Sequence, residues 1–163
     1  MFGFLQGKKK EKQPESQSEA IARELFGQIS EARDEARTGG IVTEQAFNDR
    51  LNTMFVAGYL IGYVDQYLEE LNIEDTAEKK AEAECIFETM FPGSGMSFVK
   101  TKLAARKKAA EIPKGSEVDE EVVRQCSDFD KGMAAAEEEV TTLHQDEARR
   151  PERLKGFLLL GEF

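Results

Sequence analysis

Apolar residues recur at spacings of three and four along most of this chain, the period that gathers side chains on one face of an α-helix. Ile21, Leu25, Ile29, Ala32 and Ala36 mark a first helix over 18–37, with Gly39-Gly40 as its stop. A second is expected over 43–72, with Thr43 as N-cap and Glu44 at the positive end of the helix dipole. It carries two apolar seams, one through Phe47, Leu51, Met54, Gly58, Ile61, Asp65 and Leu68, the other through Val56, Leu60, Val64, Tyr67 and Leu71. A helix that is apolar on two sides belongs in the middle of a domain.

Asp75 or Thr76 can cap a third helix that turns Ile86, Phe87, Met90 and Phe91 inward and stops at the "PGSG" of 92–95. A fourth spans 97–112. The fifth begins near 116, and its seam of Val122, Cys126, Phe129, Met133, Ala136, Val140 and Leu143 is spaced 4,3,4,3,4,3 before Pro151 ends it. No stretch alternates with the two-residue period of a strand, and no repeat of solenoid length is present. The pattern therefore predicts an all-α fold, a bundle of four to five helices around a long central apolar helix, with short basic and apolar terminal segments. The expected organisation is a tether over 1–17, a helical domain over 18–150 and an apolar tail over 151–163.

With 163 residues, 40% of them apolar and 33% charged, the chain is long and mixed enough to bury a core without staples. A net charge of −10 argues against nucleic acid as a partner, because phosphate contacts need a cationic surface. That charge is unevenly spread. Lys8, Lys9, Lys10 and Lys12 crowd the start, and Arg149, Arg150, Arg153 and Lys155 crowd the end. The fourth helix sets Lys100, Lys102, Arg106, Lys107, Lys108 and Lys114 against only Glu111, while 117–147 holds eleven acids against Arg124 and Lys131. Helices joined by a short loop usually pack antiparallel, so these two faces are expected to meet; the alternative is a lysine stripe that meets an acidic partner or a lipid headgroup. The two cysteines, Cys85 and Cys126, lack metal or redox spacing and are expected in the core of a protein from a reducing cytoplasm. The longest uncharged run, 51–64, is too short to span a bilayer. The apolar start precedes its lysines, the reverse of secretory-signal order.

Candidate sites are few. Gly58 and Gly62 stand one turn apart inside a helix, where glycine costs about 1 kcal/mol relative to alanine, so a close approach by another helix, a partner or a ligand should offset them. Tyr59, Tyr63 and Tyr67 climb an adjacent stripe, and Asp65 falls on the apolar seam, either buried with a partner or at the mouth of a pocket. The sole histidine, His144, has Thr141 rather than a glutamate three residues before it, so the di-metal carboxylate template fails and no metal or cofactor is expected. The acids around 137–139 read as a solvated face, and no nucleophile elbow or phosphate loop is present. Phe157, Leu158, Leu159, Leu160 and Phe163 form an apolar ending beyond a basic hinge and Gly156, and they need cover from the bundle, a partner's groove or a bilayer. They are carried forward as a partner-binding tail.

The absence of a catalytic constellation points to a non-enzymatic cytoplasmic interaction protein, an adaptor or assembly factor that works through a bundle groove and its ends. Another protein is then the expected partner, with self-association left open. A second reading is a peripheral membrane protein held to the inner face of an anionic membrane by Phe2, Phe4 and Leu5 followed by Lys8, Lys9 and Lys10. A third is a small-ligand binder that uses the tyrosine stripe and Asp65.

Overall fold

Local capping chemistry decides where the helices begin. A computed structural model describes residues 16–73, 75–112, 120–145 and 151–161, and within them the chain forms seven α-helices and no strand. Helix α1, Gln17–Gly39, opens on a reciprocal capping box: the Glu19 N–H donates to Ser16 Oγ at 3.2 Å and the Ser16 N–H to Glu19 Oε2 at 3.0 Å. It ends where Gly40 takes a left-handed conformation.

The expected second helix is two helices. Helix α2 covers Glu44–Leu51 and α3 covers Met54–Glu70. Between them the Thr53 hydroxyl donates to the Arg50 carbonyl at 2.7 Å and accepts from the Val56 N–H at 3.3 Å, so one residue closes α2 and caps α3. The apolar seam runs straight through this break, which is why periodicity alone reads it as continuous. Helix α4, Thr76–Met90, starts on Asp75, whose carboxylate accepts from the Ala77 and Glu78 N–H groups. Helix α5 follows at Gly95–Ala110, α6 at Glu120–Gln145 and α7 at Arg153–Leu160. Seven helices replace the four to five expected, through the break at Thr53 and the helical C-terminal segment.

Helix α3 packs most extensively on α6 and also meets α4 and α5. The α3–α6 crossing is close because glycines face backbone: a Cβ on Gly58 would lie 2.1 Å from the Phe129 carbonyl oxygen, and one on Gly132 would lie 2.1 Å from that of Phe55. Helix α1 packs between α4 and α7, and α7 also contacts α2. The core joins Leu25 and Ala32 of α1, Val56, Leu60 and Val64 of α3, Ile86 of α4, Ala136 and Val140 of α6 and Leu158 of α7.

The C-terminal segment takes the bundle as its cover but lacks the hinge expected before it. Arg153 and Lys155 lie in the first turn of α7 rather than in a hinge, Gly156 sits inside the helix, and Leu154, Phe157, Leu158 and Leu159 are buried in this chain's own core. Cys85 is exposed and Cys126 half-buried, so neither takes the core role expected of it. Both lie on helix flanks whose neighbours Ile86 and Phe129 occupy the inward positions.

Candidate functional site

Helices α4 and α5 form a hairpin that is tight at its turn and open at its far end. At the turn, a Cβ on Gly95 would lie 2.1 Å from the Phe87 carbonyl oxygen, and Glu88 closes the loop by accepting from the Gly93 and Met96 N–H groups at 3.0 Å each. Away from the turn a groove of about 550 Å³ lies between the two helices. Ile61, Val64 and Leu68 of α3 line it, together with Ala83 and Phe87 of α4 and Met96, Val99 and Leu103 of α5. Its volume falls in the range of small-molecule sites, and Leu103 remains 43% exposed at its edge.

Polar groups are confined to Asp65, Thr76, Lys79, Lys80, Glu84 and Lys100. The Lys79 ammonium reaches Asp65 Oδ1 at 2.8 Å and Glu69 Oε1 at 3.2 Å. Partial burial alone would lower its pKa, but hydrogen bonds and charge from these two carboxylates outweigh that and leave it raised. Of the two places open to Asp65, the structure gives it the edge of the groove. Its side chain is 52% exposed and paired with a lysine rather than held by a tyrosine or arginine.

The other members of the expected α3 site point elsewhere. Gly58 and Gly62 are consumed by the α6 crossing, where a Cβ on Gly62 would meet Met133 Cα at 3.0 Å. Tyr59 and Tyr63 are fully buried, with ring centroids 5.9 Å apart, and Tyr67 stacks on Tyr63 at 6.2 Å. The Tyr63 hydroxyl donates to Glu24 Oε1 at 2.8 Å. Burial, followed by the nearby Glu24 carboxylate, pushes the Tyr63 phenol far above its ordinary value; burial and Glu139 do the same to Tyr59. These phenols stay neutral and donate inward, so the stripe belongs to the scaffold and not to an accessible ligand site.

Glu139 is the functional side chain that sequence reasoning missed. Expected on a solvated face with Glu137 and Glu138, it is only 8% exposed. One carboxylate oxygen accepts from the Tyr59 hydroxyl, and the other accepts from the backbone N–H groups of Glu152 at 2.8 Å and Arg153 at 3.1 Å. Glu152 makes no side-chain cap of its own, so a carboxylate from α6 caps α7 across the fold. At the other end of α7 the Arg50 guanidinium donates to the Leu158 and Leu159 carbonyls at 3.1 and 2.6 Å. The Lys155–Glu35 pair at 2.6 Å adds a tie to α1. The only sequence signal for Glu139 was its place one turn from the seam residue Ala136.

A partner could take Phe157, Leu158 and Leu159 only by dismantling α7, which corrects the partner-binding tail. Leu160 is 67% exposed, and Phe163 lies outside the described residues. Phe2, Phe4, Leu5, Lys8, Lys9 and Lys10 also lie outside them. The basic face of α5 meets α6 through Arg106, which donates twice to Asp130 Oδ1, at 2.7 and 3.0 Å. Lys102 turns back to the Asn52 carbonyl, and burial lowers its pKa. Among the described residues, no cluster of three or more His, Cys, Asp or Glu side chains is placed to hold a metal, and no helix is long and apolar enough to cross a membrane. No protein-family model matches the sequence, and neither a curated protein nor a solved structure shows significant similarity to it.

Proposed function

We propose that this chain is a non-enzymatic cytoplasmic interaction protein, a helical bundle arranged around α3, whose working surface is the groove between α3, α4 and α5. The observation that carries this reading is the groove itself: an apolar trough of about 550 Å³, closed at the Gly95 turn and rimmed by charge. Its lining supplies no histidine or cysteine, and its aspartate is engaged by Lys79, which favours binding over chemistry. The buried α7 moves the working surface away from the C-terminal segment. Helices α1, α6 and α7 supply the rigid backing.

A neutral solvatochromic dye tests the reading. The intact chain should bind it with a blue-shifted emission. Leu103→Glu, at an exposed edge position, and Ala83→Phe, on the wall, should each remove that binding while far-UV circular dichroism stays unchanged. Dye binding that survives both substitutions, or no binding by the parent, would overturn it.

A further inference from the structure

Resting on the groove as a binding site, we propose that its occupant in the intact chain is the chain's own segment 2–5, with Phe2, Phe4 and Leu5 seated between α3, α4 and α5 as a built-in competitor for any partner. Fifteen residues precede Ser16, where the described structure begins. They divide into an apolar tip, Phe2, Phe4 and Leu5, and a polar stretch with Lys8, Lys9, Lys10 and Lys12 against Glu11 and Glu15. The groove matches the tip. Ile61, Val64, Leu68, Val99 and Leu103 supply branched hydrocarbon that apolar side chains can cover. Charge around the groove is mixed, with Asp65, Glu69 and Glu84 beside Lys79, Lys80 and Lys100, so apolar fit selects the guest.

The chain leaves the bundle beside this groove. The Ser18 hydroxyl donates to the Glu82 carboxylate, which sets the start of α1 against the first half of α4. Thr76, Lys79, Lys80 and Ala83 of that same half line the groove. Glu82 stands about 100° around α4 from Ala83. The short way between them is closed, because Ile86 and Met90 are buried on that side, so the connection runs over the exposed start of α4, past Asp75 and Glu78. The ten residues 6–15 can span about 33 Å, against a helix diameter of about 10–12 Å, so the tip reaches the groove with chain to spare. Charge favours the same route. Glu69, Glu70, Asp75, Glu78 and Glu82 gather where α3 ends and α4 begins, against Lys79 and Lys80, and the lysine-rich part of the linker has to cross them. Single exposed pairs contribute little, but the tether holds the tip at an effective concentration of about 1 mM, where a weak apolar contact suffices. A separate partner must supply that affinity from its contacts alone.

The test uses the full chain and the neutral solvatochromic dye. Phe2→Ser, Phe4→Ser and Leu5→Ser together should tighten dye binding about tenfold, the effect of removing a competitor of about 0.1 mM intrinsic Kd held at about 1 mM. Lys8→Glu, Lys9→Glu and Lys10→Glu together should give a smaller gain at low salt and match the parent at high salt. Methyl NMR signals of Val99 and Leu103 in the groove should shift between the parent and the triple-serine variant, while those of Val140 on α6 and Leu158 on α7 should not. Equal dye affinity in these two chains would overturn the docking and leave the groove open to a separate partner, with its binding role intact. A gain in dye binding with the Val99 and Leu103 signals unmoved would place the segment elsewhere and overturn the proposal as well. Dye binding by the parent that weakens as protein concentration rises would hand the segment to a second copy and overturn the intramolecular assignment. If neither chain binds the dye, the groove reading itself fails.

Discussion

Replacing Glu139 by alanine should detach α7 and reveal how far the fold depends on one buried carboxylate. Three donors converge on this side chain: the Tyr59 hydroxyl and the N–H groups of Glu152 and Arg153. A hydrogen bond to a charged group contributes about 1.5–3 kcal/mol net, and loss of an N-cap costs about 0.5–2 kcal/mol. The three bonds share one acceptor group, so their losses do not simply add. Glu139→Ala also strands a buried phenol, and a total loss of about 3–5 kcal/mol is expected. Glu139→Gln should be far milder, near 1 kcal/mol, because the amide oxygen can still cap α7 while the amide nitrogen donates to the Tyr59 oxygen. In a chain of this size the alanine variant should melt about 10 °C lower. Urea unfolding followed by circular dichroism supplies the free energies, and a Glu139→Ala/Tyr59→Phe double-mutant cycle should show coupling above about 1 kcal/mol. The reasoning is refuted if the alanine variant is within about 0.5 kcal/mol of the parent, or if glutamine is as damaging as alanine.

Gly132→Ala should cost several times the roughly 1 kcal/mol that alanine gains in helix propensity, since its Cβ would meet the Phe55 carbonyl oxygen at 2.1 Å; a raised melting temperature would remove the close-crossing argument. Leu158→Asp should lower stability by at least about 3 kcal/mol because Leu158 is fully buried, and unfolding as cooperative and as late as the parent's would show that α7 is dispensable. The hydrogen bond and charge of Arg153 hold the Glu138 carboxyl below its ordinary 4.5, so its contribution is present above that value and fades as pH falls through the lower folded one. Glu138→Gln should accordingly be less stable than the parent at neutral pH and match it in strong acid; a gap that persists in acid would assign the effect to packing. Tyr59 and Tyr63 are held above the ordinary phenol value of 10, so their contribution is complete below about pH 10 and declines above it, where the unfolded chain releases protons that the fold retains. Phenolate absorbance should therefore rise together with loss of ellipticity in alkali, and titration of all three tyrosines near pH 10 in a folded chain would contradict their burial.

The helical class was legible because the three-four period is a local property of side-chain order. The expected starts near 18, at Asp75 or Thr76 and at 97 fall within two residues of those observed for α1, α4 and α5. The break at Thr53 escaped for a reason equally local. A threonine hydroxyl that closes one helix and caps the next leaves the apolar phase nearly unchanged, so Leu51 and Met54 still read as one seam. The eight residues of α7 are too few to show periodicity, and the Leu158 and Leu159 carbonyls are satisfied by Arg50, more than a hundred residues away in sequence.

The sites were harder to read because burial of a polar group depends on what crosses above it. Glu137, Glu138 and Glu139 are chemically identical neighbours, yet the crossing with α3 and the entry of α7 cover the third and leave the other two in water. Asp65 shows the opposite case. Its seam is apolar through Ile61, but α4 reaches that part of α3 with Lys79, and the pair stays at the edge of solvent. The groove lay beyond sequence reasoning altogether, since it arises from the divergence of two helices whose own apolar faces are weak. The structure shows the consequence: α4 and α5 each carry fewer buried residues than α1 or α3, and Ala83 and Leu103, which they leave partly or wholly uncovered, line the groove. Helix α4 packs chiefly on α1, and α5 on α4 and α6, so the walls of the groove draw most of their support from helices other than α3.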